Sequence, residues 1–184
     1  MKHMKTTKLA AALALLASSS VHAADFYSEA DLGAMVFIGP GADFADPGPA
    51  FGGRMGLGIF SWLSIGGFVA ASTHQAEVPG PSVGQYFQLY QTGGDLRIRV
   101  RAGKIGIFAE GGGGWAWIST NILDGVAVTS PDQHNGPYLT AGGGLEYSTE
   151  NPRYAIGLAG DFTTFPQFGA LESVSVRLYL RYTK

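Results

Sequence analysis

Hydrophobic and polar residues alternate one by one along nearly the whole chain after Asp25, and no hydrophobic stripe recurs with a helical period. In the C-terminal segment, Val176 and Leu178 face one way, whereas Arg177 and Arg181 face the other. Such alternation is typical of β-strands that present one apolar and one polar face. It predicts eight strands, at 27–38, 50–60, 63–74, 85–101, 104–119, 136–148, 153–164 and 171–183.

The lengths of these strands and of their connections indicate a membrane barrel. Most strands have ten or more residues, close to the 9–11 residues of a tilted transmembrane strand and above the roughly 5–6 usual in soluble sheets. Tight turns around 61, 102–103 and 150–152 alternate with longer connections at 39–49, 75–84, 120–135 and 165–170. Outer-membrane barrels sort their connections in this way, with the long loops outside the cell. We predict an all-β, eight-stranded antiparallel up-and-down transmembrane β-barrel with periplasmic termini and extracellular long loops.

The N-terminal segment is typical of an export signal. Lys2, Lys5 and Lys8 precede nine apolar residues at 9–17, a run far shorter than the ~20 that a membrane-spanning helix needs. The tripeptide 21–23 (VHA) suits a signal peptidase. The expected organisation is a signal peptide at 1–23 followed by an outer-membrane barrel domain at 24–184.

Composition narrows the function further. Charged residues make up 14% of the chain, against about 25% in ordinary soluble domains. There is no cysteine, which excludes disulfide scaffolds and thiolate metal sites. Without the signal's three lysines, nine bases face fourteen acids, a net charge of −5 that disfavours nucleic-acid binding. We expect no cofactor, no metal and no small-molecule substrate; the expected partners are outer-membrane lipid and other envelope or motility proteins.

The charged member of each alternation is assigned to the lumen, where six acids meet six bases. We call this set the lumen charge network: Glu29, Asp31, Asp95, Glu110, Glu146, Asp161, Arg54, Arg97, Arg99, Arg101, Arg177 and Arg181. Buried charges must be paired, and an eight-stranded barrel is narrow enough to be filled by its own side chains. The sequence therefore predicts a plugged barrel. Glycines on the same face are expected to leave room for the arginines: Gly106, Gly112, Gly114, Gly142, Gly144 and Gly157.

Aromatic residues are predicted to form two girdles at the membrane interfaces. The periplasmic girdle comprises Tyr27, Trp62, Tyr147, Tyr154 and Tyr182. The outer girdle comprises Phe37, Phe51, Tyr86, Tyr90, Trp115, Trp117, Tyr138 and Phe162.

Two places offer candidate chemistry or contacts. Ser72 and His74 share a face, where a serine–histidine pair could meet, and Glu77 follows. The alternation of side chains along this strand places the pair on the lumen side, away from the lipid from which an acyl substrate would arrive. A polar lumen cluster is therefore favoured over a catalytic role. The longest connection, loop 3 at about 120–135, mixes apolar and polar residues, which is typical of a protein contact and also of a self-packed loop that caps the barrel. Its candidate partner residues are Ile122, Leu123, Asp124, Val126, Asp132 and His134.

Several short strings carry a resemblance to a known family. They are Ala71–His74, Gln88–Gln91, Ser119–Leu123, Ala141–Tyr147 and Tyr179–Tyr182. Together they resemble the adventurous gliding-motility outer-membrane β-barrel proteins, the CglE-like family. The resemblance implies a non-enzymatic structural or docking component of an envelope-spanning gliding-motility or adhesion complex. The alternatives are an outer-membrane lipid-modifying enzyme and a small channel.

Overall fold

The computed structural model describes residues 25–39, 42–43, 45–75, 86–119, 135–169 and 171–184. The predicted signal peptide therefore lies outside the described residues. Eight strands follow one another along the chain: β1 (Asp25–Ile38), β2 (Gly48–Phe60), β3 (Leu63–Gln75), β4 (Tyr86–Ala102), β5 (Ile105–Ile118), β6 (Asn135–Ser148), β7 (Tyr154–Phe165) and β8 (Leu171–Thr183). Each corresponds to one predicted strand, with ends displaced by two residues at most.

The eight strands form one closed antiparallel barrel in chain order. Every strand pairs with its sequence neighbours, and β1 pairs with β8 to complete the ring. Glu29, for example, lies opposite Arg54 on one side and Arg181 on the other. The predicted fold class is confirmed.

The connections differ in length between the two ends of the barrel. Residues 61–62, 103–104 and 149–153 join strands at one end, where Lys184 also lies, and we call it the short-turn end. Gly103 has a φ of +64° in its tight turn, a conformation that glycine adopts without steric cost. We call the opposite end the long-loop end; there β1 and β2, β3 and β4, β5 and β6, and β7 and β8 have the strand ends that the chain connects through 39–47, 76–85, 119–134 and 166–170.

The outer wall of the barrel is apolar. Leu32, Val69 and Leu139 are each more than 60% exposed, and comparable aliphatic side chains cover the outward face of every strand. A contiguous apolar surface of this extent is unstable in water and matches the lipid-facing band of membrane barrels. Within the described residues, the structure contains no helix with the length and apolar character needed to cross a membrane.

The aromatic residues follow the prediction only in part. Phe51, Tyr90, Trp115 and their neighbours are exposed on the outer wall near the long-loop end. Tyr27, Phe37 and Tyr138 instead point into the lumen and are at most 3% exposed, so their assignment to the girdles is wrong. The cause is the alternation of side chains between lumen and lipid. Tyr27 and Phe37 share their face of β1 with Glu29, and Tyr138 shares its face of β6 with Glu146.

Candidate functional site

Arg97 on β4 lies within the lumen, and its side chain is completely buried. Its guanidinium donates to both carboxylate oxygens of Glu29, at 2.7 and 3.2 Å, and its Nε donates to Glu110 Oε2 at 2.8 Å. The guanidinium carbon lies 4.4 Å from the centroid of the Phe108 ring and 5.3 Å from that of Tyr179. Arg97 thus combines charge-assisted hydrogen bonds with cation–π contacts in a desolvated site, where both are strongest.

Glu110 on β5 is the second centre of the network. Arg54 on β2 donates to Glu110 Oε2 at 2.5 Å, and its Nη1 also lies 3.0 Å from Asp95 Oδ2. Arg177 on β8 contacts Glu110 and donates through Nε to Asp161 Oδ2 at 2.7 Å. Two arginines therefore link three carboxylates on β4, β5 and β7 across the lumen.

Glu146 on β6 collects the arginines nearest the short-turn end. Arg99 and Arg101 each donate to Glu146 Oε1 at 2.7 Å. Arg181 lies 3.3 Å from Glu146 Oε2 and donates through Nε to Glu29 Oε1 at 2.5 Å. The side chain of Arg101 is 41% exposed, so the ion pairs extend to the mouth of the barrel.

All twelve members of the lumen charge network lie on lumen-facing positions, and together they come from every strand except β3. Among the described contacts, eleven of them form ion pairs within 4.0 Å. The exception is Asp31, on which Arg177 and Arg54 act only at longer range. The pairing is shared among several partners, since Glu29, Glu110 and Glu146 each pair with three arginines.

A cavity of about 70 Å³ lies on the long-loop side of these ion pairs. We call it the chamber. Its charged lining consists of Asp31, Asp95, Glu110, Asp161, Arg54 and Arg177. Its uncharged polar lining consists of Ser72, Gln91, Tyr138, Thr140, Thr163 and Ser175. The sequence indicated the charged residues, but it could not show that four carboxylates and only two guanidiniums border this space.

Glycines on the lumen face make room mainly for side chains other than arginine, which corrects the prediction. A Cβ at Gly157 would overlap the ring of Tyr179, and one at Gly142 would overlap Asp161. Only Gly106, of the six predicted positions, has an arginine side chain as a near neighbour: a Cβ there would lie 3.7 Å from Arg99. The arginines are long enough to extend along the lumen, whereas the short aspartate and the rigid ring need space on the adjacent strand.

Apolar residues close the lumen beyond the chamber, towards the long-loop end. We call this cluster the apolar plug: Met35, Phe37, Ala45, Phe87, Leu89, Ala116, Ile118, Tyr138, Phe165, Phe168 and Leu171. The rings of Tyr138 and Phe165 lie 5.9 Å apart, and those of Phe165 and Phe168 lie 5.8 Å apart. Sequence reasoning missed the plug, although the signal was present, because Phe87 and Leu89 alternate in step with Arg97 and therefore lie on the same face of β4.

Ser72 and His74 meet inside this part of the barrel. Ser72 Oγ lies 2.9 Å from His74 Nε2, and His74 Nδ1 lies 3.0 Å from the carbonyl oxygen of Asp46. With Nδ1 protonated, the imidazole donates to that carbonyl and accepts from the serine, an arrangement that a general base requires. Both residues are only 1% exposed, and the ring of Phe37 packs 4.8 Å from the imidazole. Glu77 lies outside the described residues. The pair therefore forms a buried polar contact beside the plug.

The candidate partner residues of loop 3, Ile122, Leu123, Asp124, Val126, Asp132 and His134, all lie outside the described residues. Their role as a contact surface stays a prediction. In the part of the chain that the structure does describe, no group of three or more His, Asp or Glu side chains is arranged to hold a metal ion.

Comparison with known proteins identifies similar folds and no similar sequence. No protein-family model matches the chain, and no curated protein matches it significantly. Neisserial surface protein A (NspA) superposes with a TM-score of 0.59 at 14% identity, over 85% of this chain and 96% of that one. Ail, the attachment invasion locus protein of Yersinia pestis, gives 0.56 at 12% identity, over 89% and 100%.

The N-terminal β-barrel domain of Pseudomonas aeruginosa OprF gives a TM-score of 0.55 at 10% identity, over 86% of this chain and 97% of that domain. At these identities the likeness concerns the fold alone. The chain has the fold of the eight-stranded outer-membrane barrels.

Proposed function

We propose that this protein is a closed, non-enzymatic outer-membrane barrel that acts as a structural or docking component of an envelope-spanning gliding-motility or adhesion complex. The observation that carries the proposal is the filled lumen: ion pairs and the apolar plug occupy the interior of a barrel whose outer wall is apolar. A barrel that neither conducts nor catalyses still offers a rigid membrane scaffold for loops that bind a partner.

The filled lumen argues against a channel. Arg97 has a fully buried side chain and donates hydrogen bonds to both Glu29 and Glu110. Phe87 and Leu89 are completely buried in the plug beyond it. An ion crossing the barrel would have to break several desolvated ion pairs and then pass an apolar segment, and both steps are costly.

The geometry around Ser72 argues against a lipid-modifying enzyme. A serine nucleophile for an acyl chain must be accessible from the lipid, whereas Ser72 faces the lumen and is 1% exposed. The group that orients His74 is the backbone carbonyl of Asp46. A carboxylate would stabilise the imidazolium that forms during catalysis, and a neutral carbonyl does so far less.

The motility or adhesion role rests on the sequence resemblance to the CglE-like family. In this proposal the long loops are extracellular and both termini are periplasmic, as in barrels that keep their short turns inside. The partner is a second envelope or motility protein that binds loop 3.

The test is a loop replacement in the intact, exported protein. Residues 122–133 are replaced by a short Gly-Ser turn, and residues 77–84 are replaced in the same way as the control at the same end of the barrel. Insertion is checked by heat-modifiable gel mobility, and partners are recovered by cross-linking followed by affinity purification. We expect both variants to insert, and only the loop 3 variant to lose its partner and, in a gliding host, motility. Unchanged partner recovery from an inserted loop 3 variant would contradict the proposed docking surface.

A further inference from the structure

We infer that the chamber binds one small, partly hydrated monovalent cation. The first observation is the charge of its wall: its lining includes the four acids Asp31, Asp95, Glu110 and Asp161 but only two arginines, and one further arginine, Arg97, reaches Glu110 from outside the lining. The arginines that balance the network overall lie mostly on the other side of it, around Glu29 and Glu146. The lumen is therefore neutral in sum and polarised along its axis, with excess negative charge beside the cavity.

The second observation is the poor satisfaction of the carboxylates. Asp31 forms none of the described ion pairs. Asp95 is 6% exposed, and although Arg54 Nη1 lies 3.0 Å from its Oδ2, neither carboxylate oxygen has a hydrogen-bond partner in the described contacts. A carboxylate desolvated in this way is unfavourable unless another group compensates its charge.

The third observation is independent of the acids. Tyr138 lines the chamber, is 1% exposed, and its hydroxyl lacks a hydrogen-bond partner among the described residues. Buried hydroxyls are almost always satisfied by protein or by ordered water. Arg54 Nε and Arg177 Nη1, on two other residues of the lining, also lack such partners. These three donors call for water inside the cavity, and the excess carboxylate charge calls for a cation among those waters.

The size and geometry of the chamber define the occupant. A water needs roughly 10–15 Å³ of such volume, so about 70 Å³ holds a small ion together with a few waters. No three described carboxylate or imidazole groups are close enough to ligate one metal ion directly. A divalent ion prefers several direct oxygen ligands or a full octahedral shell, whereas a monovalent ion such as Na⁺ or K⁺ is held by fewer contacts and bridging waters. Ser72, Gln91 and Thr163 supply neutral oxygens for that shell.

The experiment compares the unfolding of the full, refolded barrel in detergent at fixed ionic strength and neutral pH. The chloride salts of Na⁺ or K⁺ are compared with the chloride of N-methylglucamine, a cation too large for the chamber. Binding to the folded state alone raises the unfolding midpoint. We expect a higher midpoint in the small-cation salts, and line broadening of the sodium NMR signal on addition of the folded protein.

Three variants assign the effect to the chamber. Asp31→Asn preserves shape and should abolish the difference between salts. Tyr138→Phe should reduce that difference. Asp43→Asn, an exposed change at the same end of the barrel, should leave it intact.

Two results would overturn the inference. One is an identical wild-type midpoint in small and large cations; a stability that depends on pH in N-methylglucamine would then show that protons supply the compensation. The other is an effect that Asp31→Asn retains in full, which would place the ion elsewhere.

Discussion

Replacing Arg97 with Leu tests the lumen at its most constrained point. The side chain makes three hydrogen bonds to carboxylates, of 2.7 to 3.2 Å, and its guanidinium lies over two aromatic rings. Removing one partner of a buried ion pair typically costs about 3–5 kcal/mol. Glu29 keeps Arg181, and Glu110 keeps Arg54, so neither carboxylate is left alone. We therefore expect a loss near the lower end, about 3 kcal/mol.

The assay is equilibrium unfolding by urea in detergent or lipid vesicles, followed by tryptophan fluorescence, with the free energy extrapolated to zero denaturant. Ile98→Leu on the lipid-facing side of the same strand is the matched control and should change stability by less than about 0.5 kcal/mol. Arg101→Leu should cost less than about 1 kcal/mol, because that side chain is 41% exposed and Glu146 retains other arginines. Adding Glu29→Gln to Arg97→Leu should recover part of the loss, because it removes one acid from a lumen that then has six acids and five arginines.

The reasoning fails if Arg97→Leu and Ile98→Leu unfold at the same midpoint, since the two faces of β4 would then be energetically equivalent. It also fails if Arg101→Leu is as damaging as Arg97→Leu, because burial would not determine the cost.

Three further predictions address space, conduction and location. Gly157→Ala should lower the free energy of unfolding by about 1–3 kcal/mol, because the added methyl group overlaps the ring of Tyr179. Gly160→Ala, on the outward face of the same strand, should be nearly neutral, because the nearest atom to its Cβ lies 3.8 Å away. Equal unfolding free energies for the two variants would refute the packing argument. The purified barrel should give no steady current in planar bilayers, and lasting openings that scale with salt would show an open path. In cells the protein should fractionate with outer membranes and shift in gel mobility on boiling; soluble, unshifted material would contradict the membrane location.

The alternation of residue types was sufficient to predict the strands and their faces because a membrane barrel leaves little freedom: one face meets lipid and the other meets the lumen. Individual contacts could not be predicted in this way. Arg97 binds Glu29, which is 68 residues away and on a strand that is not its neighbour. Which partner a long, flexible side chain reaches depends on how the strands are staggered around the whole barrel. No local sequence pattern encodes that stagger.

The aromatic residues show a second limit. Phe37 and Tyr138 lie at the height of the outer girdle. The sequence interpretation assigned them to it by their position along the strand, without regard to whether that position faces the lumen or the lipid. Inside the barrel the same rings fill the end of the lumen and contribute to the apolar plug. The alternation of side chains between the two faces of a strand was the stronger signal, because a strand cannot turn one side chain to the opposite face without a bulge.

The ion pairs across the lumen also have a consequence for how the barrel assembles. Their partners are far apart in the chain: 152 residues separate Arg181 from Glu29, and 67 separate Arg177 from Glu110. Some ion pairs form within one hairpin, such as Arg97 with Glu110 on β4 and β5, but β1 must meet β8 before Glu29 can bind Arg181. The interior is therefore fully neutralised only when the ring closes, and contacts of such high sequence separation form slowly. An unclosed chain leaves part of its charged face unpaired, which disfavours its transfer into the hydrocarbon.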